Sequence, residues 1–257
     1  MDAHGVIGAV ALSSAPLLSI VLPVYNEGPN IERVLRELAR CAPRSREIFI
    51  VYDVPEDDTL PVAKRLQAVM PDLALVLNTR GRGVLGAMRT GLEASRGRFV
   101  LITMADGSDD YTDLPAMLRA GENGAALIAA SRYVAGGSQQ GGPLMKRSLS
   151  RLAGLLLHAV AGMPIHDPTS NYKLYSRELL DRVDIESVAG FELALELAVK
   201  AHRLGLPMSE VPTRWRDRTA GQSRFRLRKW LPHYLRWFRY GIATRFLPRA
   251  RQATHGS

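Results

Sequence analysis

Short apolar runs, each followed by a stretch of helical period, recur along the first half of this 257-residue chain and set its fold class. Leu17 to Val24 is the first run. Beyond the turn that ends it, Ile31, Val34, Leu35 and Leu38 fall at i, i+3, i+4, i+7, which predicts a helix starting near Pro29. Glu47 to Tyr52, Leu73 to Leu77, Arg98 to Met104 and Leu127 to Ala130 repeat the strand signal. Leu60 to Met70 and Val84 to Ser95 read as helices between them. Strands alternating with helices at this spacing predict a doubly wound α/β fold with a mainly parallel sheet. Residues 136–143, rich in glycine, read as a flexible loop that could act as a lid. Later come a helix from Lys146 to Ala161, a short strand from Tyr172 to Tyr175 and a helix from Phe191 to Leu204. A late strand from Met208 to Trp215 and a final amphipathic helix from Trp230 to Phe246 complete the reading.

A hydrophobic content of 46% gives a chain of this length enough apolar surface for a sizeable core. Cys41 is the single cysteine, so no intrachain disulfide can form, which suits a reducing cytosol. Met1 to Pro16 lacks a basic start and runs into a strand, which argues against a signal peptide. No apolar run is long and uncharged enough for a transmembrane helix. The net charge of +9 is unevenly placed. Ten of the 34 Lys and Arg, and none of the 25 Asp and Glu, lie from Arg218 onward, so residues 1–217 carry −1. A basic tail on a near-neutral body points to an acidic surface as partner, membrane or nucleic acid.

The most chemically loaded stretch runs from Val100 to Asp110, a core strand that ends in Asp106, Asp109 and Asp110. Ligands of open α/β sheets bind just past the carboxyl ends of strands. Carboxylates beside a Gly-Ser turn there suggest hard oxygen ligands for Mg²⁺ or Mn²⁺ and a phosphate-bearing substrate. The plainer reading has Asp109 and Asp110 capping the helix that begins near Leu114. Asp53 ends the second strand and projects into the same crevice, as a ligand contact or as an Asx turn. Gly81 to Gly86 matches G-x-G-x-x-G but follows the third strand, not the first, which disfavours a dinucleotide site. Close helix packing is the plain alternative, and a middle reading turns Arg82 and the loop amides toward a pyrophosphate. His166, alone in a loop, is assigned no role.

Together these pieces resemble family-2 glycosyltransferases of the GT-A fold. The resemblance rests on Leu18 to Glu27, the loop from Asp53 to Thr59, Met104-Ala105-Asp106, Ser131 to Gly137, Asp167 to Ser170 and Arg216 to Arg224. It is strongest to the polyprenyl-phosphate branch, which includes the dolichol-phosphate mannose synthases, and spans roughly residues 17–240. It implies a GT-A domain over 17–227, after an extension at 1–16 and before a basic helix and tail at 228–257. It further implies a nucleotide-sugar donor such as GDP-mannose or UDP-glucose, a divalent metal and a lipid-phosphate acceptor. Pro23, Tyr25 and Glu27 match donor-base positions, and Asp53 matches the acid that contacts the nucleoside. Asp106 matches the last acid of Asp-x-Asp, while Arg132 and Arg218 match positions near phosphate groups. Two departures stand out: Met104 replaces the first acid of that motif, and Tyr52 the first of the paired acids after the second strand. A thioether is a poor ligand for a hard cation, so the metal is expected on Asp106 with Ser108 and Asp109.

The expected reaction is an inverting transfer, with Asp106 and Arg218 catalytic and Arg218 and Arg224 on the acceptor phosphate. That phosphate is already an anion and needs no general base; a hydroxyl acceptor would need one, and Asp167 is the candidate. The rival from another class is a non-catalytic nucleotide-sugar binder. Nucleic-acid binding is set aside because the tail aromatics fall at helical spacing, not along a groove. Leu231, Tyr234, Leu235, Phe238 and Ile242 share one helical face ringed by arginines. That predicts peripheral contact with the anionic, cytoplasmic face of a membrane, the alternative being a helix docked on the protein's own core.

Overall fold

A computed structural model describes residues 15–217, 227–243 and 246, without the side chains of residues 227–229. Nine strands and eight α-helices alternate through the described residues. In order they are β1 (Leu18–Pro23), α1 (Gly28–Cys41), β2 (Arg46–Tyr52), α2 (Thr59–Gln67), β3 (Leu73–Leu77) and α3 (Val84–Ala94). Next come β4 (Phe99–Ile102), α4 (Leu114–Glu122), β5 (Leu127–Ser131), β6 (Ser138–Gln140), α5 (Leu144–Ala161) and β7 (Lys173–Ser176). Last are α6 (Arg177–Asp181), α7 (Leu193–Arg203), β8 (Met208–Pro212), β9 (Arg214–Arg216) and α8 (Leu227–Ala243).

Seven strands form one sheet in the order β3-β2-β1-β4-β7-β5-β8. Only β7 runs antiparallel to its neighbours β4 and β5. The central strands are buried along their whole length, as expected when helices cover both faces. Alternate residues serve opposite cores: Val21, Val51, Val100 and Ile102 face one, Ile20, Leu22, Ile50 and Leu101 the other. Ile31, Val34, Leu35 and Leu38 of α1 fill the second core at the spacing read from sequence. Chain order reverses between β1 and β4, with Val21 beside Ile102, so the loops after these strands emerge together at the switch point.

Two sequence expectations need correction. The late strand breaks at Thr213: β8 joins the main sheet beside β5, and β9 leaves it. The glycine-rich segment is not a free lid, because β6 lies within it and pairs in parallel with β9. The final helix packs on α7 and α5, with Trp237 only 2% exposed. A Glu186 bridge to Arg236 at 2.7 Å and to Lys200 at 2.7 Å fastens it.

Candidate active site

The loop after β4 is held by a small polar network. The Thr103 hydroxyl donates to Asp109 at 2.7 Å, and the Tyr111 hydroxyl donates to the Met104 carbonyl at 3.2 Å. The Ser108 amide donates to Asp106 Oδ1 at 3.0 Å, which tightens the turn. The surrounding protein pushes the Asp109 carboxyl up to about 7; the Thr103 hydrogen bond opposes this, and the nearby Asp106 charge adds to it. Asp109 caps no helix. Asp110 does so for the short 3₁₀ turn Tyr111–Asp113, accepting from the Thr112 amide at 3.1 Å.

Asp106, Ser108 and Asp109 border a cavity of about 560 Å³ whose lining mixes polar and apolar side chains. Its polar lining includes Arg132, Lys146, Arg147 and Ser150 along with the two carboxylates. Its apolar lining comes largely from α5 and α8: Leu149, Leu152, Leu156, Leu231, Leu235 and Phe238. Met104 lines the cavity while packing on the core beneath it.

Arg132 reaches this site from the end of β5 and is already committed on one side. Its Nε and Nη2 donate to the two oxygens of Asp167 at 2.7 and 2.8 Å, a fork-on-fork pair. Asp167 is fully buried and also accepts from the Ser170 amide at 3.2 Å. Burial pushes its carboxyl up, but the Arg132 charge and hydrogen bonds outweigh that and hold it below the usual carboxylate range. A buried, charge-paired acid is a poor proton acceptor, so Asp167 is not the general base suggested for a hydroxyl acceptor. Arg132 Nη1 makes no hydrogen bond among the described residues and remains free for an anion. His166 is likewise not a solvated loop residue: its Nδ1 lies 2.8 Å from Glu210, and its ring lies 4.1 Å from that of His158.

The expected donor-side residues form a second group on the same sheet edge. Pro23 is buried at the end of β1, and Tyr25 is 41% exposed beyond it. Glu27 donates its amide to Thr59 at 2.9 Å, which staples this loop to the start of α2. Asp53 accepts from Asn78 Nδ2 at 2.7 Å and from the Gly83 amide at 2.9 Å. The G-x-G-x-x-G segment is therefore a loop pinned to β2. A side chain at Gly86 would strike the Gly81 carbonyl, so the close-packing reading of that glycine holds. Arg82 is exposed on this loop. Arg218 and Arg224 lie outside the described residues.

Sequence reasoning missed Lys146, Arg147 and Ser150. Their signal was available: two cations open a helix that has no acidic residue, and Ser150 follows Lys146 at i+4. Among the described residues, no set of three or more His, Cys, Asp or Glu side chains is arranged to hold a metal ion.

A mainly parallel sheet with acids at its switch point, flanked by helices, is the GT-A architecture. The chain belongs to glycosyl transferase family 2, whose family model matches residues 19–184. It is 32% identical over 211 residues to the polyprenol monophosphomannose synthase of Mycolicibacterium smegmatis, covering 80% of this chain and 79% of that protein. It is 30% identical to the undecaprenyl-phosphate mannosyltransferase of Micrococcus luteus, covering 79% of this chain and 85% of that protein. Among solved structures it resembles glucosyl-3-phosphoglycerate synthase of Mycobacterium tuberculosis in complex with Mn²⁺, UDP and glucosyl-3-phosphoglycerate. That likeness has a TM-score of 0.64 at 20% identity over 91% of this chain and 81% of that one. The same enzyme with Mg²⁺ and UDP gives a TM-score of 0.63.

Proposed function

We propose that this glycosyltransferase moves a mannosyl residue, with inversion, from a nucleoside diphosphate sugar to the phosphate of a polyprenyl lipid. The observation that carries the reading is the cavity itself, which brings carboxylates and cations together with an apolar lining from α5 and α8. That combination suits an amphiphile with a phosphate head. The names of both curated relatives support the same acceptor and sugar.

In this reading Pro23, Tyr25, Glu27, Asp53 and Arg82 serve the donor nucleotide. Arg132, Arg218 and Arg224 serve phosphate groups, Arg132 through its uncommitted Nη1. Asp106, with Ser108 and Asp109, holds Mg²⁺ or Mn²⁺. Two carboxylates crowding one loop, with Asp109 raised partly by Asp106, fit a hard cation, whereas the Met104 thioether does not. When bound, the ion neutralises charge on the leaving diphosphate. The acceptor phosphate is itself the nucleophile, so no proton need be removed, in keeping with Asp167 being locked to Arg132.

Membrane contact belongs to the same proposal. On α5, Leu144, Met145, Leu152 and Leu155 are 75%, 63%, 54% and 48% exposed, beside Lys146, Arg147 and Arg151. Leu231 and Leu235 of α8 continue the patch at 39% and 42%. An apolar face ringed by cations suits the anionic, cytoplasmic side of a bilayer. No helix among the described residues is long and apolar enough to cross one. Nucleic acid has no place in the proposal, since Trp237 and Trp230 are turned into the protein.

The test is transfer from GDP-mannose and UDP-glucose to polyprenyl phosphate or to phosphoglyceric acid, with Mg²⁺ or Mn²⁺ present. The expected product is mannosyl-phosphoryl-polyprenol. Turnover on phosphoglyceric acid with none on the lipid would refute the proposal.

A further inference from the structure

Behind the acid loop lies a second, smaller cavity of about 270 Å³, lined by four arginines from two distant elements. Arg33 and Arg40 lie seven residues apart on α1 and so share a helical face. Arg214 and Arg216 alternate along β9 and so share a strand face. Ser108 and Asp109 line both this cavity and the larger one and form the wall between them.

Surface arginines are ordinarily just solvated, but three features set these apart. Arg40, Arg214 and Arg216 have no side-chain hydrogen bond or ion pair among the described residues. Arg33 has only Glu37 at 3.3 Å and the Gly107 carbonyl at 3.5 Å. Three carboxylates, Glu37, Asp109 and Asp110, line the cavity against four cations; Asp109 and Asp110 are each held by a threonine hydroxyl, at 2.7 and 2.6 Å, and Asp113 lies near enough to Arg214 to feel its charge. Gly107, at φ 71°, leaves room where any side chain would meet the Arg33 guanidinium. β9 is tied to the wall as well, because the Arg216 amide donates to the Ser108 carbonyl at 3.0 Å.

We infer that this cavity is a second anion site, one that takes a small phosphate-bearing group between α1 and β9. Guanidinium forks approaching from two sides match the several oxygens and negative charge of a phosphate group. The volume suits a phosphorylated small molecule or a phospholipid headgroup and is too small for a nucleotide sugar. The inference does not depend on the proposed acceptor, since none of the four arginines belongs to the transfer site.

The experiment compares wild type with Arg40→Gln/Arg214→Gln and with Lys146→Gln/Arg147→Gln, the latter pair lining the large cavity. Inorganic phosphate is titrated calorimetrically at fixed ionic strength. The expected result is saturable binding, weakened about tenfold or more by the first pair and unchanged by the second. In a second arm each protein is floated with phosphatidylglycerol or phosphatidylcholine vesicles. If free phosphate does not bind but Arg40→Gln/Arg214→Gln alone loses phosphatidylglycerol flotation, the ligand is a headgroup. Binding and flotation both unaffected by Arg40→Gln/Arg214→Gln overturn the inference, as does phosphate binding lost only in the second pair.

Discussion

Replacing Arg132 by Met should cost far more stability than a surface arginine would. Its partner Asp167 is fully buried, and the Arg132 side chain is only 12% exposed. Removing one member of such a pair strands the other charge, at about 3–5 kcal/mol. That is a large share of the roughly 5–15 kcal/mol that holds a domain together. At about 2–4 °C per kcal/mol for a chain of this size, Tm should fall by about 10 °C. The double variant Arg132→Met/Asp167→Leu should recover only part of the loss, because the two paired charges go together but the buried Lys173 ammonium and the Ser170 amide lose Asp167 as their partner. The pH dependence has a definite sign. The Asp167 carboxyl is held below its unfolded value, so its contribution is present above the ordinary carboxylate range, about pH 4. It is lost as pH falls through the lower, folded value. Asp167→Asn should therefore flatten the acid limb of a Tm-against-pH curve while lowering the plateau. Scanning calorimetry of the four proteins, together with turnover well below each Tm, provides the assay. Asp167→Asn that keeps its Tm but loses turnover would refute this reasoning and restore the acid as a base.

Asp106→Ala should abolish transfer and the Tm rise produced by Mg²⁺ or Mn²⁺, whereas Asp110→Ala should cost only about 1 kcal/mol as a lost cap and leave turnover near wild type. Met104→Asp should tighten Mn²⁺ binding in a titration, because the side chain borders the cavity beside Asp106; unchanged affinity would remove that side chain from the ion's reach. Asn78→Ala should raise KM for the donor more than for the acceptor, since Asn78 links Asp53 at 2.7 Å to the Gly81 carbonyl at 2.7 Å, and equal effects on both would make the link merely structural. Leu152→Glu/Leu235→Glu should abolish flotation with anionic vesicles while leaving the fold intact, and flotation retained would assign the membrane contact to another surface.

What the sequence made legible is what periodicity and strand ends control. β1 to β5 fall within a few residues of their apolar runs, because a strand buried on both faces needs an uninterrupted apolar run. Asp53 and Asp106 could be placed at one edge because strand polarity fixes where strand ends lie, whereas Arg132 was reached only through the family resemblance. Pairings across long separations were not legible. β6 finds β9 about 76 residues later through three backbone positions, and no local pattern records it. Asp167 and Arg132 are 35 residues apart, and a lone Asp-Pro turn gives no hint of a buried partner. In sequence α5 has a wide apolar face, yet among its eighteen residues only Gly154, Leu157 and Ala161 are buried. A helix meant for the core and one meant for lipid share the same pattern, and only the packing of the neighbours tells them apart.

That ambiguity bears on how the proposed acceptor would be met. Withdrawing a polyprenyl chain into water costs about 0.8 kcal/mol for each CH₂, so an enzyme that extracted it whole would face a prohibitive barrier. A groove whose walls are themselves exposed avoids this cost. Leu152, Leu156, Leu231 and Leu235 both line the cavity and reach the surface, so lipid could enter sideways with most of its tail still in the bilayer. Only the phosphate must then travel, toward Lys146, Arg147 and Arg132, where cations offset its desolvation. The positive charge of α5 thus has two uses on this reading: it draws the helix to an anionic leaflet and marks the path of the head group inward. The tail cations, ten of the 34 Lys and Arg, are then not the chief membrane contact.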